Sequence, residues 1–143
     1  MLLKRMSILL PLAIAAVLVS TVAPAAAAPG HASVVIRHQT QGCHAWSVNG
    51  GAFRSSRSLT LQRGGTLVVT DNDVMSHKLV LLSGPSLLLV HPLLGHMGGS
   101  TKLTFTHAGV YHFTTKAGED YKGMTGIKTT GEDNVLKLTV AVT

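Results

Sequence analysis

The sequence predicts an all-β domain, a Greek-key sandwich or barrel of about seven or eight strands. Three observations carry this. No stretch shows a long apolar stripe of helical period with a cap at each end. Short apolar or alternating runs recur instead, punctuated by Gly, Asn, Asp and Ser. Once an N-terminal leader is set aside, about 115 residues remain, the size of one ordinary domain with a core that needs no crosslinks.

The leader is Met1 to Ala28, read as a secretory signal peptide, with residues 29–143 as the folded domain. Lys4 and Arg5 supply the positive start, Ile8 to Val22 the apolar middle, and Ala26, Ala27 and Ala28 a small-residue cleavage site before Pro29 and Gly30. A membrane anchor is the alternative, but the apolar run is short for a span and ends in small residues. The expected product is secreted or periplasmic, with no stable membrane insertion after cleavage.

The strands follow in order. Ser33 to His38 carries Val34, Val35 and Ile36, and Gln39 to Gly42 turns it into His44 to Val48. Asn49, Gly50 and Gly51 end that strand. Ser58 to Gln62 alternates, and Arg63, Gly64 and Gly65 lead to the segment around which the chain is organised, Thr66 to Leu82. This segment reads as a hairpin: an apolar strand with Leu67, Val68 and Val69, a turn at Asp71, Asn72 and Asp73, and a second strand with Leu79 to Leu82. The turn residues fit because their side chains bond nearby backbone. His77 opens the second strand, where a fixed imidazole can hold a metal or simply meet solvent. Thr101 to Thr106 alternates, His107, Ala108 and Gly109 turn it into Val110 to Thr115, and Val135 to Val142 closes the chain. Ser83 to Gly99 is apolar but broken by Pro85 and Pro92, a covering loop or a broken helical turn. Lys116 to Asn134 is polar and Gly-rich, a long excursion of the kind that often carries function.

The charge helps solubility and favours anionic partners, but carries no nucleic-acid signature. Of twelve basic residues, Lys4 and Arg5 leave with the signal, so ten face six acidic ones, a net charge of +4. No basic run is present, and the aromatics are not interleaved with Lys or Arg. No GxSxG, HExxH or paired-carboxylate pattern occurs, so an enzyme is not expected. The single cysteine, Cys43, cannot form an internal disulfide. It is a buried inert thiol, an intermolecular crosslink or a metal ligand, and an exposed thiol outside the cell would oxidise.

The chain then resembles the cupredoxin family, small exported copper-binding β-sandwiches of the plastocyanin kind. The resemblance rests on Val69 to His77 (strand, acidic turn, strand-opening histidine). It rests also on the run Phe105-Thr106-His107-Ala108-Gly109-Val110-Tyr111-His112-Phe113, and on a loop ending in Gly123-Met124 before a final strand. Tyr111 fits a tyrosine corner. The chain departs from the family at its late ligands. Where a cysteine and then a histidine would follow the Tyr-x-Phe strand, it has residues such as Thr115 and Gly118. The resemblance therefore implies a copper protein with a relocated site.

Antiparallel pairing of Thr101–Thr106 with Val110–Thr115 places His96 and Met97 at the end where the Lys116–Met124 loop lies. In cupredoxin-like topology the first strand also ends there, bringing Cys43 and His44 near His77. The candidate ligands are Cys43, His44, His77, His96, Met97 and Met124, with Glu119 behind them. Thiolate, thioether and imidazole together suit copper, especially Cu(I); zinc would leave the methionines idle. Cys43 and His44 face opposite sides of a regular strand, and His44 shares its side with Trp46. Trp46, Phe105, Tyr111 and Phe113 are core candidates; His31, His38, His91, His107 and His112 are solvated or structural ones. The expected function is electron transfer or copper handling, with a redox or copper-donor protein as partner. The alternative is a metal-free cupredoxin-like interaction module.

Overall fold

The computed structural model describes residues 26–38, 44–95, 97–117 and 135–143. Nine strands form two sheets, and no helix occurs among the described residues. The strands are β1 (His31–His38), β2 (His44–Val48), β3 (Ser56–Leu61), β4 (Thr66–Asp71), β5 (His77–Ser83), β6 (Leu93–Leu94), β7 (Gly99–Thr104), β8 (Gly109–Ala117) and β9 (Lys137–Val142). One sheet has the order β2-β1-β4-β7 and the other β3-β9-β8-β5-β6. The fold is thus the expected all-β sandwich. Both sheets are mixed, because β1 pairs with β4 and β3 with β9 in parallel while the other pairs are antiparallel.

Alternation builds the core. Inward positions on one sheet are Val34 and Ile36 (β1), Trp46 and Val48 (β2), Leu67 and Val69 (β4) and Leu103 (β7), with Phe105 just beyond β7. The other sheet contributes Leu61, Leu79, Tyr111, Phe113, Leu138, Val140 and Val142, all buried. The four expected core aromatics, Trp46, Phe105, Tyr111 and Phe113, are among the largest fully buried side chains. Phe105 and Tyr111 meet edge to face, with ring centroids 4.9 Å apart.

Two expected pairings are corrected. Thr66 to Leu82 is not a hairpin: β4 lies in one sheet and β5 in the other, and residues 72–76 cross between layers. Likewise β7 and β8 lie in different sheets, so Thr101–Thr106 does not pair with Val110–Thr115. Turn chemistry is the same for a hairpin and for a sheet-changing crossover, so sequence alone does not separate them. The second crossover is tied by Tyr111, whose hydroxyl donates to the His107 carbonyl at 2.8 Å, the tyrosine corner anticipated above. Gly109 at that corner has φ +142, and a Cβ there would meet Pro85 Cγ at 2.7 Å. The turn after β2 has both Asn49 (φ 48) and Gly50 (φ 73) left-handed, as tight turns of this kind require.

Among its described residues, Ser83 to Gly99 holds no helical turn. It is a covering segment containing β6, with Leu87 and Leu89 packed against the core. Thr101 Oγ1 donates to the Val90 carbonyl at 2.6 Å and fixes it in place. Of the late excursion, Lys116 and Ala117 belong to β8, and residues 118–134 lie outside the described residues.

Candidate metal centre

The inward stripes of five strands end, at one end of the sandwich, in a polar side chain. In β1, Val34 and Ile36 lead to His38. In β2, Val48 and Trp46 lead back to His44. In β4, Leu67 and Val69 lead to Asp71, in β5 Leu79 leads back to His77, and in β8 Tyr111 and Phe113 lead to Thr115. Register brings these ends together: His38 stands opposite His44, Ile36 beside Asp71, and His77 opposite Ala117. A period of two, followed to the last residue of each strand, therefore builds a polar cluster capping the core.

The crossover between β4 and β5 is organised by Asp71, fully buried at the end of its strand. Its Oδ1 accepts from the Asp73 backbone N–H at 2.9 Å and its Oδ2 from the His77 backbone N–H at 3.0 Å. The Asn72 N–H donates to the Ile36 carbonyl at 2.9 Å and locks the crossover to β1. From the other side, the Gly98 N–H donates to the Asp71 carbonyl at 2.6 Å and the Met97 N–H to the Asp73 carbonyl at 3.0 Å. Burial raises the Asp71 carboxyl above its ordinary value of 3.8, and the backbone donors and the nearby His77 only partly offset this.

Asp73, also fully buried, is the hub. Its Oδ2 lies 2.8 Å from His44 Nδ1 and 3.3 Å from His77 Nε2, and its Oδ1 accepts from the Met75 N–H at 3.2 Å. Burial alone would raise this carboxyl, but the hydrogen bonds from His44 and His77 outweigh it and hold the group well below the usual carboxylate range. An ionised carboxylate only accepts, so His44 Nδ1–H and His77 Nε2–H are the donors. Thr115 Oγ1 lies 3.2 Å from His77 Nδ1 and completes that ring's fixing. The His44 and His77 rings stand perpendicular with centroids 4.7 Å apart, and His38 reaches the His44 ring edge at 6.3 Å. His38, His44 and Asp73 offer ligand atoms that all lie within 4.8 Å of one another. His44 and His77 are buried and His38 is exposed, so the cluster opens to solvent at His38.

The donor set fits a metal ion. Bonds of about 2.0–2.1 Å to imidazole and carboxylate put neighbouring ligand atoms about 3–4 Å apart on one ion, a spacing within reach of His38, His44 and Asp73, whose ligand atoms lie within 4.8 Å of one another. Imidazole with carboxylate suits Cu(II), zinc and related divalent ions.

Of the candidates named from sequence, His44 and His77 are brought together. Met97 lies at the same end, joined by its backbone, with a side chain 64% exposed and φ 54. Cys43, His96, Glu119 and Met124 lie outside the described residues. Sequence reasoning missed Asp73, read as a turn residue, and His38, set aside as solvated. The signal for His38 was present: it shares strand parity with Val34 and Ile36, as His44 does with Trp46.

No protein-family model matches the sequence, and no curated protein matches it. Among solved structures the chain is similar to a multicopper oxidase from Campylobacter jejuni, at 11% identity and a TM-score of 0.45 over 79% of this chain and 25% of that one. It is similar to a laccase from Pediococcus acidilactici at 16% identity and a TM-score of 0.42, over 85% of this chain and 28% of that one. It is also similar to a rusticyanin at 15% identity and a TM-score of 0.40, over 82% of this chain and 80% of that one. The chain thus spans about a quarter of the length of the two oxidases. No helix among the described residues is long and apolar enough to cross a membrane.

Proposed function

We propose that this chain is an exported cupredoxin-like copper-binding protein serving electron transfer or copper handling. It binds rather than catalyses, and its partner is a redox or copper-donor protein met in a secreted or periplasmic setting. The observation that carries the reading is the convergence of His38, His44 and His77 on the buried Asp73 carboxylate at one end of the sandwich. His38, His44 and Asp73 would hold the ion, with His77 bonded to Asp73 from the buried side. Copper supplies one-electron chemistry there; the protein supplies a fixed, largely water-excluded donor set. Cys43 directly precedes His44 in the sequence and is the candidate thiolate, which would convert an imidazole–carboxylate site into one that stabilises Cu(I).

The test is copper titration of residues 29–143, followed by visible absorption and by metal content after desalting. One retained copper per chain, lost in His77→Ala, supports the reading. An intense charge-transfer band that disappears in Cys43→Ser supports the thiolate; retained copper with a weak band points to imidazole and carboxylate alone. No retained copper overturns the reading.

A second reading is a metal-free interaction module. It is favoured by one observation: Asp73 already satisfies one nitrogen on each of His44 and His77. Absence of copper binding together with unchanged folding in His77→Ala would select it.

A further inference from the structure

The leader and the first strand meet in a sequence whose order matters chemically. Removal of Met1 to Ala28 makes Pro29-Gly30-His31 the first three residues of the exported chain. A free amine, two backbone N–H groups and an imidazole in third place make a complete donor set for one ion. The amine nitrogen, the deprotonated amide nitrogens of the second and third residues, and the imidazole Nδ1 close fused chelate rings in one plane. Such a square of nitrogens suits Cu(II) and Ni(II). Proline in second or third place would lack the N–H and forbid the arrangement; Pro29 stands first, where its ring nitrogen becomes the amine.

The fold leaves these nitrogens available. Pro29 and His31 are exposed, and Gly30 is half-buried. In the parallel ladder with β4 the Gly30 carbonyl accepts from the Thr66 N–H at 2.9 Å, so the His31 N–H faces away from β4. On that other side β2 pairs with β1 only from Val34 onward. Among the described residues neither Gly30 nor His31 donates its N–H to a backbone carbonyl outside the ladders, so loss of those two protons breaks no bond of the fold. Gly30 also lets the chain curl: a Cβ there would stand 3.0 Å from Gln62 Nε2. What gives way is local, namely the contact of His31 Nδ1 with Thr66 Oγ1 at 2.7 Å and the carbonyl bonds of Pro29 to the Gln62 N–H and of Gly30 to the Thr66 N–H. The eight residues of β1, at about 3.3 Å each, put His31 roughly 23 Å from His38. The N-terminus therefore lies at the other end of the sandwich from the His38, His44 and Asp73 cluster and shares no donor with it.

We propose that the processed N-terminus is a second metal site, which takes Cu(II) or Ni(II) through the Pro29 amine, the Gly30 and His31 amide nitrogens and His31 Nδ1. Binding releases one proton from the protonated amine and one from each amide, and the two amide anions neutralise the dication. Anionic nitrogens in a plane favour Cu(II) over Cu(I), so this end of the molecule captures copper in its oxidised form. The inference rests on export with cleavage after Ala28, and not on metal binding at the cluster.

The experiment expresses the full chain with its own leader, reads the first residue of the exported protein by N-terminal sequencing and intact mass, and titrates that protein with nickel chloride. A chain beginning at Pro29 is expected, binding one Ni(II) with the visible band and unbroadened NMR lines of square-planar, diamagnetic nickel. His31→Ala should abolish both signatures, and so should insertion of one alanine between Pro29 and Gly30, which moves the imidazole to fourth place. His44→Ala and His77→Ala should leave them intact. With Cu(II), the ion that His31→Ala removes is additional to the one that His77→Ala removes. An exported chain with any other first residue overturns the proposal, as does nickel bound only in a paramagnetic form; both are read on the unaltered protein, whatever the variants do. A square-planar signature that survives His31→Ala or the insertion overturns it too. Failure of the cluster to hold copper, with the nickel signature present, refutes the copper-cluster reading alone.

Discussion

Replacing Asp73 by alanine should destabilise the metal-free protein severely. The carboxylate is fully buried and accepts two imidazole hydrogen bonds, at 2.8 Å from His44 and 3.3 Å from His77, both themselves buried. A hydrogen bond to a charged group is worth about 1.5–3 kcal/mol. Removing one partner of a buried ionic cluster typically costs about 3–5 kcal/mol, because the partners stay behind without compensation. Additional disorder is expected at Met75, whose N–H loses its acceptor. The expected loss is therefore about 3–5 kcal/mol, a large share of the roughly 5–15 kcal/mol a domain has. Asp73→Asn keeps the shape; with its amide oxygen turned to the two imidazoles both of those hydrogen bonds survive and only the Met75 N–H loses its acceptor, so the cost should be nearer about 1–2 kcal/mol. The assay is urea unfolding in the presence of a chelator, followed by fluorescence of Trp46, the single tryptophan. If Asp73→Ala costs less than about 1 kcal/mol without metal, the hub does not hold the metal-free fold. Loss confined to the copper-loaded protein would make Asp73 a ligand and little else.

The two buried carboxylates should pull stability in opposite directions with pH. Asp73, depressed in the fold, contributes stability fully present above its unfolded value of 3.8 and lost as pH falls toward its folded value. Asp71, raised in the fold, gains a favourable contribution as pH falls from its folded value to 3.8. Acid titration of Asp71→Asn against the parent protein isolates the second term, and a parent-minus-variant stability difference that does not become more favourable as pH falls through this window would contradict it. At neutral pH the same Asp71→Asn places an amide donor against one of two backbone N–H groups, so copper affinity should fall although no ligand has changed; unchanged affinity would show that the loop does not need its anchor. Trp46→Ala should cost about 3–5 kcal/mol in urea unfolding, as a fully buried aromatic does. Tyr111→Phe should cost about 0.5–1.5 kcal/mol by removing the hydroxyl bond to His107, and a neutral result would mean that the corner is held by packing alone.

The strands were legible because burial alternates along them: Leu67, Val69, Leu138 and Val140 mark their inner faces in the sequence and in the fold alike. Pairing was less legible. The Asp71–Asp73 turn looks like a hairpin because its side chains bond local backbone, and they do; yet the chain it turns passes to the opposite sheet. Whether a turn returns to its own sheet depends on partners far away, here Ile36 and Gly98, and local residue types do not encode them. The site divided in the same way. His44 could be placed by parity with Trp46, and His77 by its position at a strand mouth. Asp73 sits in a loop, where parity fails, and meets His44 across 29 positions of sequence, so only the fold reveals it.

The way the cluster is satisfied bears on how it would work. Two imidazoles share one carboxylate, the carboxylate is held by a backbone turn, and the turn is held by a second buried carboxylate. Each side chain is thus fixed by something other than a metal. A site assembled only around an ion must order its ligands when the ion arrives, and that ordering opposes binding. Here the ordering accompanies folding of the sandwich, because His38, His44 and His77 are terminal members of the stripes that form the core and Asp73 is bonded to two of them. The same coupling makes the site vulnerable. A change at Ile36, whose carbonyl accepts from Asn72, or at Gly98, whose N–H reaches the Asp71 carbonyl, acts on the donor geometry without touching a donor.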